Sequence, residues 1–202
     1  MKKSPQPTSK PKLSAARRLI VFNNVSLDGY FTDASGQMGW AHSVKPDPEF
    51  QSFVAGNASG KSVLVFGRKT YELMASYWPT AAARQMSQTV ADGMNQSAKL
   101  VFSKTLKRAE RENTRLVKGD VVTEIRKLKA KRGPNLVILG SGSLVAQLAA
   151  ADLVDEYQFV LIALALGAGR TLFNGLPHLL KLRLTESRPF ANGNVFLRYQ
   201  RP

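Results

Sequence analysis

The chain has 202 residues, 44% of them hydrophobic, which suits one globular domain with an adequate core. It contains no cysteine and only two histidines, His42 and His178, which excludes a disulfide framework, thiol chemistry and a structural zinc site, and no metal is expected. The formal net charge is +15, from 29 basic and 14 acidic residues, and no run of 18 apolar residues is present to cross a membrane.

Residues 1–17 hold three prolines, several lysines and serines, and almost nothing apolar. That composition predicts a disordered basic arm, with the folded domain over 18–202. The arm has no apolar stretch, so it does not read as a secretory signal. Leu19-Ile20-Val21-Phe22 predicts a strand, and Ser26-Leu27-Asp28-Gly29 a turn. Residues 32–48 carry Gly36, Gly39, Pro46 and Pro48 and read as a long loop holding Trp40. A short helix begins at Glu49-Phe50-Gln51-Ser52-Phe53-Val54.

Ser62–Phe66 predicts a second, buried strand, running into Gly67-Arg68-Lys69. Thr70 is placed to cap a helix through Tyr77, which Trp78-Pro79 ends. Residues 80–98 are polar and alanine-rich and read as helix or loop. Lys99–Phe102 predicts a third strand closed by Ser103-Lys104-Thr105, and Thr114–Val117 a fourth. Asp120 caps a helix with Val121, Ile125 and Leu128 on its core face, stopped by Gly133-Pro134.

Leu136–Leu139 is a short apolar run with two β-branched members, as a buried strand requires. Gly140-Ser141-Gly142-Ser143 follows, and Leu144, Val145 and Leu148 then recur at helical spacing. A helix that starts on a glycine turn presents free N–H groups and the positive end of its dipole, which suits a phosphate. The same residues would also serve an ordinary strand-to-helix connection. Tyr157–Leu166 is almost continuously apolar and predicts a central strand, broken by Gly167-Ala168-Gly169. Leu180, Leu182 and Leu184 alternate with polar residues, as do Val195, Leu197 and Tyr199, with Asn192-Gly193 between the two runs. That predicts an antiparallel hairpin. The order implies a three-layer α/β domain, its central sheet mostly parallel with a C-terminal antiparallel hairpin.

Three strand ends carry similar equipment: Gly67-Arg68-Lys69-Thr70, Ser103-Lys104-Thr105 and Gly140-Ser141-Gly142-Ser143. Ligands of open α/β sheets bind beyond the carboxyl ends of the strands, so the three together predict a phosphorylated nucleotide. Arg68 offers a bidentate fork and Lys104 a point charge. The basic charge also raises nucleic acid as an alternative partner. The clusters at 104–115 and 126–132 contain no aromatic residue to stack bases, which leaves the N-terminal arm as the route for such binding.

Five segments in this order carry a resemblance: Ser26–Tyr30, Gly67–Glu72, Val101–Leu106, Leu139–Leu144 and Leu166–Phe173. Together they resemble the dihydrofolate reductase-like family, in the branch related to the C-terminal reductase domain of the bifunctional riboflavin-biosynthesis deaminase/reductase. The resemblance covers about residues 18–200. It implies NADPH as cofactor and an oxidoreductase moving hydride to a small heterocycle, pteridine- or riboflavin-precursor-like, or to a carbonyl compound. It implies that Gly67, Arg68, Lys69 and Thr70 hold phosphates, with Ser103 and Lys104 near the 2′-phosphate. Gly140, Ser141, Gly142, Ser143 and Leu144 would cradle the pyrophosphate, and backbone at Asn24 and Val25 would meet the nicotinamide carboxamide. Asp28 would line the active site near the substrate. Trp40, Glu49 and Phe53 match the loop tryptophan and the acid-bearing helix of that family, with Glu49 as the substrate-anchoring acid. A cytoplasmic homodimer is implied as well.

Overall fold

The computed structural model describes residues 17–58 and 62–202. The expected arm falls on residues 1–16, outside the described residues, apart from Arg17. That residue is buried and donates from Nε to the Pro134 carbonyl.

Strands β1 (Leu19–Ser26) and β2 (Thr32–Asp33) come first, then a 3-10 turn over Gly39–His42 and α1 (Pro48–Asn57). Next are β3 (Val63–Gly67), α2 (Arg68–Tyr77), α3 (Ala81–Met86), α4 (Gln88–Gln96), β4 (Lys99–Phe102), β5 (Thr114–Val117) and α5 (Val121–Lys129). The chain closes with β6 (Leu136–Leu139), α6 (Gly142–Ala150), β7 (Glu156–Ile162), β8 (Gly169–Arg170), β9 (Arg183–Pro189) and β10 (Val195–Gln200).

Eight strands form one sheet in the order β5-β4-β3-β6-β1-β7-β10-β9, and β2 pairs with β8 as a separate ribbon. The first six are parallel, while β10 runs antiparallel to β7 and β9. Parallel strands need cover on both faces, which is why their sequences are apolar runs rather than alternations. On one face α5 and α6 press Ile125, Val145 and Leu148 against Val21, Val65 and Ile138. On the other, α2 and α4 place Tyr71 and Met94 over Leu64, Phe66 and Val101. Further along that face, α1 and the 3-10 turn cover Val160, Ile162 and Phe196 with Phe50, Phe53 and Trp40. The domain is therefore the three-layer α/β fold that the chain order implied.

Local details differ from the sequence expectation. The β7 ladder ends at Ile162, because Leu164 N–H turns back to the Ile162 carbonyl. The first hairpin strand begins at Arg183 rather than Leu180. Leu180 and Leu182 pack on the core from an irregular segment, and β9 is an edge strand that has little apolar burial to offer. Residues 80–98 resolve as two helices, each with its own hydroxyl cap, Thr80 and Ser87. Thr70 lies inside the first turn of α2 instead of capping it; Gly67 is the N-cap.

Candidate active site

All six parallel strands end on the same side of the sheet, and the crevice there opens where β1 and β6 part. Their pairing stops at Phe22–Leu139, whereas β1 stays paired with β7 out to Ser26–Ile162. Peptide groups of an inner strand alternate between its two neighbours. The Arg18 carbonyl accepts from Leu136 beside β6, and the Leu19 carbonyl accepts from Asp155 beside β7. The period of two turns the Asn24 peptide group toward the gap past Leu139, and the Val25 peptide toward β7. Of the two residues expected to meet a carboxamide, Asn24 therefore has the open backbone edge, and Val25 is committed to the ladder.

Beyond Leu139 the chain makes two left-handed residues, Gly140 (φ +63°) and Ser141 (φ +60°). Gly140 needs its lack of a side chain, since a Cβ there would stand 2.8 Å from Thr70 Cγ2. A side-chain network holds the turn. Gly140 N–H donates to Asn23 Oδ1 at 2.6 Å, and Gly67 N–H donates to Ser141 Oγ at 2.7 Å. Thr70 Oγ1 accepts from both Ser141 N–H (3.0 Å) and Ser141 O–H (2.9 Å). Thr70 and Ser141 thus shape the corner; the Ser141 hydroxyl proton goes to Thr70, and the Thr70 hydroxyl, accepting twice, keeps its own proton to donate. Leu144 is buried and its N–H returns to the Ser141 carbonyl, so it too belongs to the scaffold. Ser143 is exposed, leaving its hydroxyl accessible.

The helix termini divide into two groups. Asp47, Thr80, Ser87 and Asp120 cap α1, α3, α4 and α5 with side-chain oxygens. The other two, α2 and α6, have no side-chain cap, and both begin at the crevice on adjacent strands, β3 and β6. Uncapped first-turn N–H groups at two neighbouring dipoles are acceptor-seeking, and an anion satisfies them. A basic rim surrounds them. Arg68 bonds Glu72 Oε1 at 2.7 Å and Thr105 Oγ1 at 3.0 Å, spanning the ends of β3 and β4. Lys69 and Lys104 are exposed, and Lys118 Nζ donates to the Lys104 and Leu106 carbonyls. Ser103 Oγ accepts from Thr105 and Leu106 N–H at 3.2 and 2.9 Å, which fixes that turn. The Arg68–Glu72 pair is half-exposed and holds only weakly against a competing phosphate.

Asp28 bridges two loops over this end of the sheet. Its carboxylate accepts from Ser26 Oγ at 2.6 Å, Gly167 N–H at 2.6 Å and Leu166 N–H at 3.0 Å. These bonds, the Ser26 hydroxyl first, hold its carboxyl below the usual carboxylate range. A depressed folded-state pKa stabilises above the unfolded value and is lost as pH falls through the folded one. Asp28→Asn should therefore lower the urea midpoint at pH 7, and the gap to the parent should close in acid; equal midpoints at pH 7 would contradict the bridge.

Trp40 and Phe53 come together in the aromatic cluster under α1, where Phe53 lies 4.8 Å from Phe196 and 5.3 Å from Phe190. Glu49 is not brought to the crevice. Its side chain is 60% exposed and pairs with Arg188 on β9 at 2.7 Å. Three strand spacings, roughly 14 Å, separate β9 from β1. Two residues had escaped sequence reasoning. Asn23 is 2% exposed and holds the Gly140 turn. Its signal was a polar residue continuing the inward register of Leu19 and Val21. Lys118 carries no local sequence signal, since its partners are backbone carbonyls of the turn after β4, 12 and 14 residues earlier.

Sheet order, crevice and helix termini define a dihydrofolate reductase-like α/β fold. Its likeness to dihydrofolate reductase of Enterococcus faecalis, solved with NADP(H) and RAB-propyl, is one of fold: TM-score 0.63, 16% identity, covering 94% of this chain and 99% of that one. A putative riboflavin biosynthesis protein from Shewanella sp. PV-4 matches at TM-score 0.69 and 27% identity, over 92% and 99% of the two chains. The uncharacterized protein YyaP of Bacillus subtilis (strain 168) is 26% identical over 183 residues, 91% of this chain and 94% of YyaP. Residues 17–196 match the RibD C-terminal domain, and the chain belongs to that family. Family and fold together point to a reductase-type enzyme.

Proposed function

We propose that this protein is an NADPH-dependent reductase that transfers hydride to a small electron-poor heterocycle, pteridine- or riboflavin-precursor-like, or to a carbonyl compound. The observation that carries the reading is the pair of uncapped helix termini, α2 and α6, side by side at the crevice. The residues present fit a dinucleotide. First-turn N–H groups of Gly142 and Ser143 and of Arg68 and Lys69 would hold its pyrophosphate. Lys104, with Arg68 anchored on Thr105, would meet the 2′-phosphate. The Asn24 backbone N–H and C=O, one donor and one acceptor, complement a primary carboxamide, which can accept at its oxygen and donate from its NH₂. When bound, the cofactor supplies the hydride.

The chain's own residues orient and enclose. Asn23 and Thr70 hold the Gly140–Ser141 turn, so the donors of α6 are in place before binding. Asp28, ionised and triply bonded, ties the loop after β1 to the loop after β7 beside the substrate. Trp40, on the 3-10 turn over the end of β7, supplies an apolar wall for a flat ring, and Phe53 backs that cluster from farther out, beneath Arg188. Glu49, tied to Arg188, steadies α1, and water delivers the proton. Glu49→Gln should then change turnover by less than about threefold, whereas a general acid or base would cost about 10²–10⁴. A cytoplasmic homodimer fits the reading, supported by the absence of cysteine and by Leu179 and Leu184, both exposed at or near the β9 edge.

The test is a screen of NADPH oxidation with pteridines, pyrimidine precursors of riboflavin and simple quinones. Deuterium placed at the nicotinamide C4 should appear in the product of an accepted substrate. Failure of every class to oxidise NADPH, under conditions where the cofactor binds, would overturn the reductase reading.

A further inference from the structure

At the opposite end of the sheet, where β3, β4 and β5 begin, the surface opens into a groove of about 470 Å³. That size lies within the range of small-molecule sites. Val63, Leu100 and Leu128 supply apolar lining, and Arg17 and Arg115 supply charge. A strand length of roughly 15 Å separates the groove from the Gly67 and Gly140 turns, and it shares no residue with the crevice.

The groove brings together two arginines without a counter-charge, one of them nearly buried. Arg17 is only 9% exposed, its guanidinium packed on Gly133 and its Nε given to the Pro134 carbonyl. Neither Arg17 nor Arg115 pairs with a carboxylate among the described residues. Residues 1–16 and 59–61 contain no aspartate or glutamate, so no other carboxylate of the chain is left to serve them. Burial first, and the nearby Arg115 charge second, hold the Arg17 guanidinium below its ordinary range. Lys99 also lines the groove, but its Nζ is spent on the Asn95 and Ser97 carbonyls at 2.8 and 2.7 Å. Like charges over an apolar floor are costly, and one anion between them removes the repulsion and gains charge-assisted hydrogen bonds.

We propose that this groove binds a small organic anion, a phosphate or carboxylate attached to an apolar or ring-shaped body. Arg115 and Arg17 take the anionic head, and Val63, Leu100 and Leu128 take the body. The site is independent of the cofactor crevice. A polynucleotide fits less well, because the neighbouring basic stretches 104–115 and 126–132 have no aromatic side chain on which bases could stack.

Phenyl phosphate titrated into the full chain by calorimetry tests this, with inorganic phosphate and benzyl alcohol as separate halves of the ligand. Saturable binding of phenyl phosphate, tighter than that of either half, is expected. Arg115 is exposed on a strand surface, so Arg115→Ala should keep the parent melting temperature while weakening binding about 10- to 100-fold. Arg115→Lys should recover part of the loss, and Arg68→Ala should change nothing. The proposal is overturned by absence of saturable binding, or by binding that Arg68→Ala removes and Arg115→Ala does not. It is equally overturned if a duplex oligonucleotide binds through Arg115 and phenyl phosphate does not.

Discussion

Gly140→Ala should weaken NADPH binding by more than about tenfold while leaving the protein folded. The left-handed backbone at Gly140 costs an L-residue roughly 1–2 kcal/mol. The new methyl would also meet Thr70 Cγ2 at 2.8 Å and Oγ1 at 3.2 Å. Thr70 is β-branched and already holds Ser141 through two bonds, so it yields only by releasing the turn. Releasing the turn moves the first N–H groups of α6, each worth about 1.5–3 kcal/mol to a charged acceptor. Titration of nicotinamide fluorescence reads the effect directly. Parent-like affinity in Gly140→Ala would show that the turn does not shape the binding site.

Ile138→Ala should be strongly destabilising. Ile138 is fully buried on β6, between β1 and β3, and packs under α6. Truncating such a side chain costs about 2–5 kcal/mol, the lost transfer energy plus the cavity left behind. For a domain of this size that is a fall in melting temperature of roughly 4–20 °C. A fall under about 2 °C would mean that the site collapses freely and that the layer is looser than described. Saturating cofactor should recover part of the loss, since a ligand that binds only the folded state stabilises it by mass action.

The layers were legible because the parallel strands are buried on both faces. Val63–Phe66, Lys99–Phe102 and Leu136–Leu139 stand out as apolar runs, and Asp120 announces its helix in a single residue. Strand ends read equally well, since Gly67, Ser103 and Gly140 punctuate them. What sequence could not show was which groups at those ends remain available. Ser141 and Ser143 look alike in the chain, yet one is spent on Gly67 and Thr70 and the other faces solvent. Asn24 and Val25 are neighbours, and only strand pairing decides which backbone edge stays open. Glu49 stands at a spacing that suits a pocket-facing acid, but its partner Arg188 lies 139 residues away, beyond any local pattern. The edge strand β9 was misplaced for a similar reason: an alternation of leucines does not say whether its cover is a strand or an irregular segment.

On the proposed reading, the crevice at α2 and α6 holds a phosphorylated nicotinamide dinucleotide. The most direct measurement compares NADPH and NADH by fluorescence titration of the parent protein. Saturable binding of NADPH is predicted, about 10- to 100-fold tighter than NADH, the worth of one charge-assisted contact to the 2′-phosphate. Equal affinity for the two, or saturable binding of neither, would contradict it.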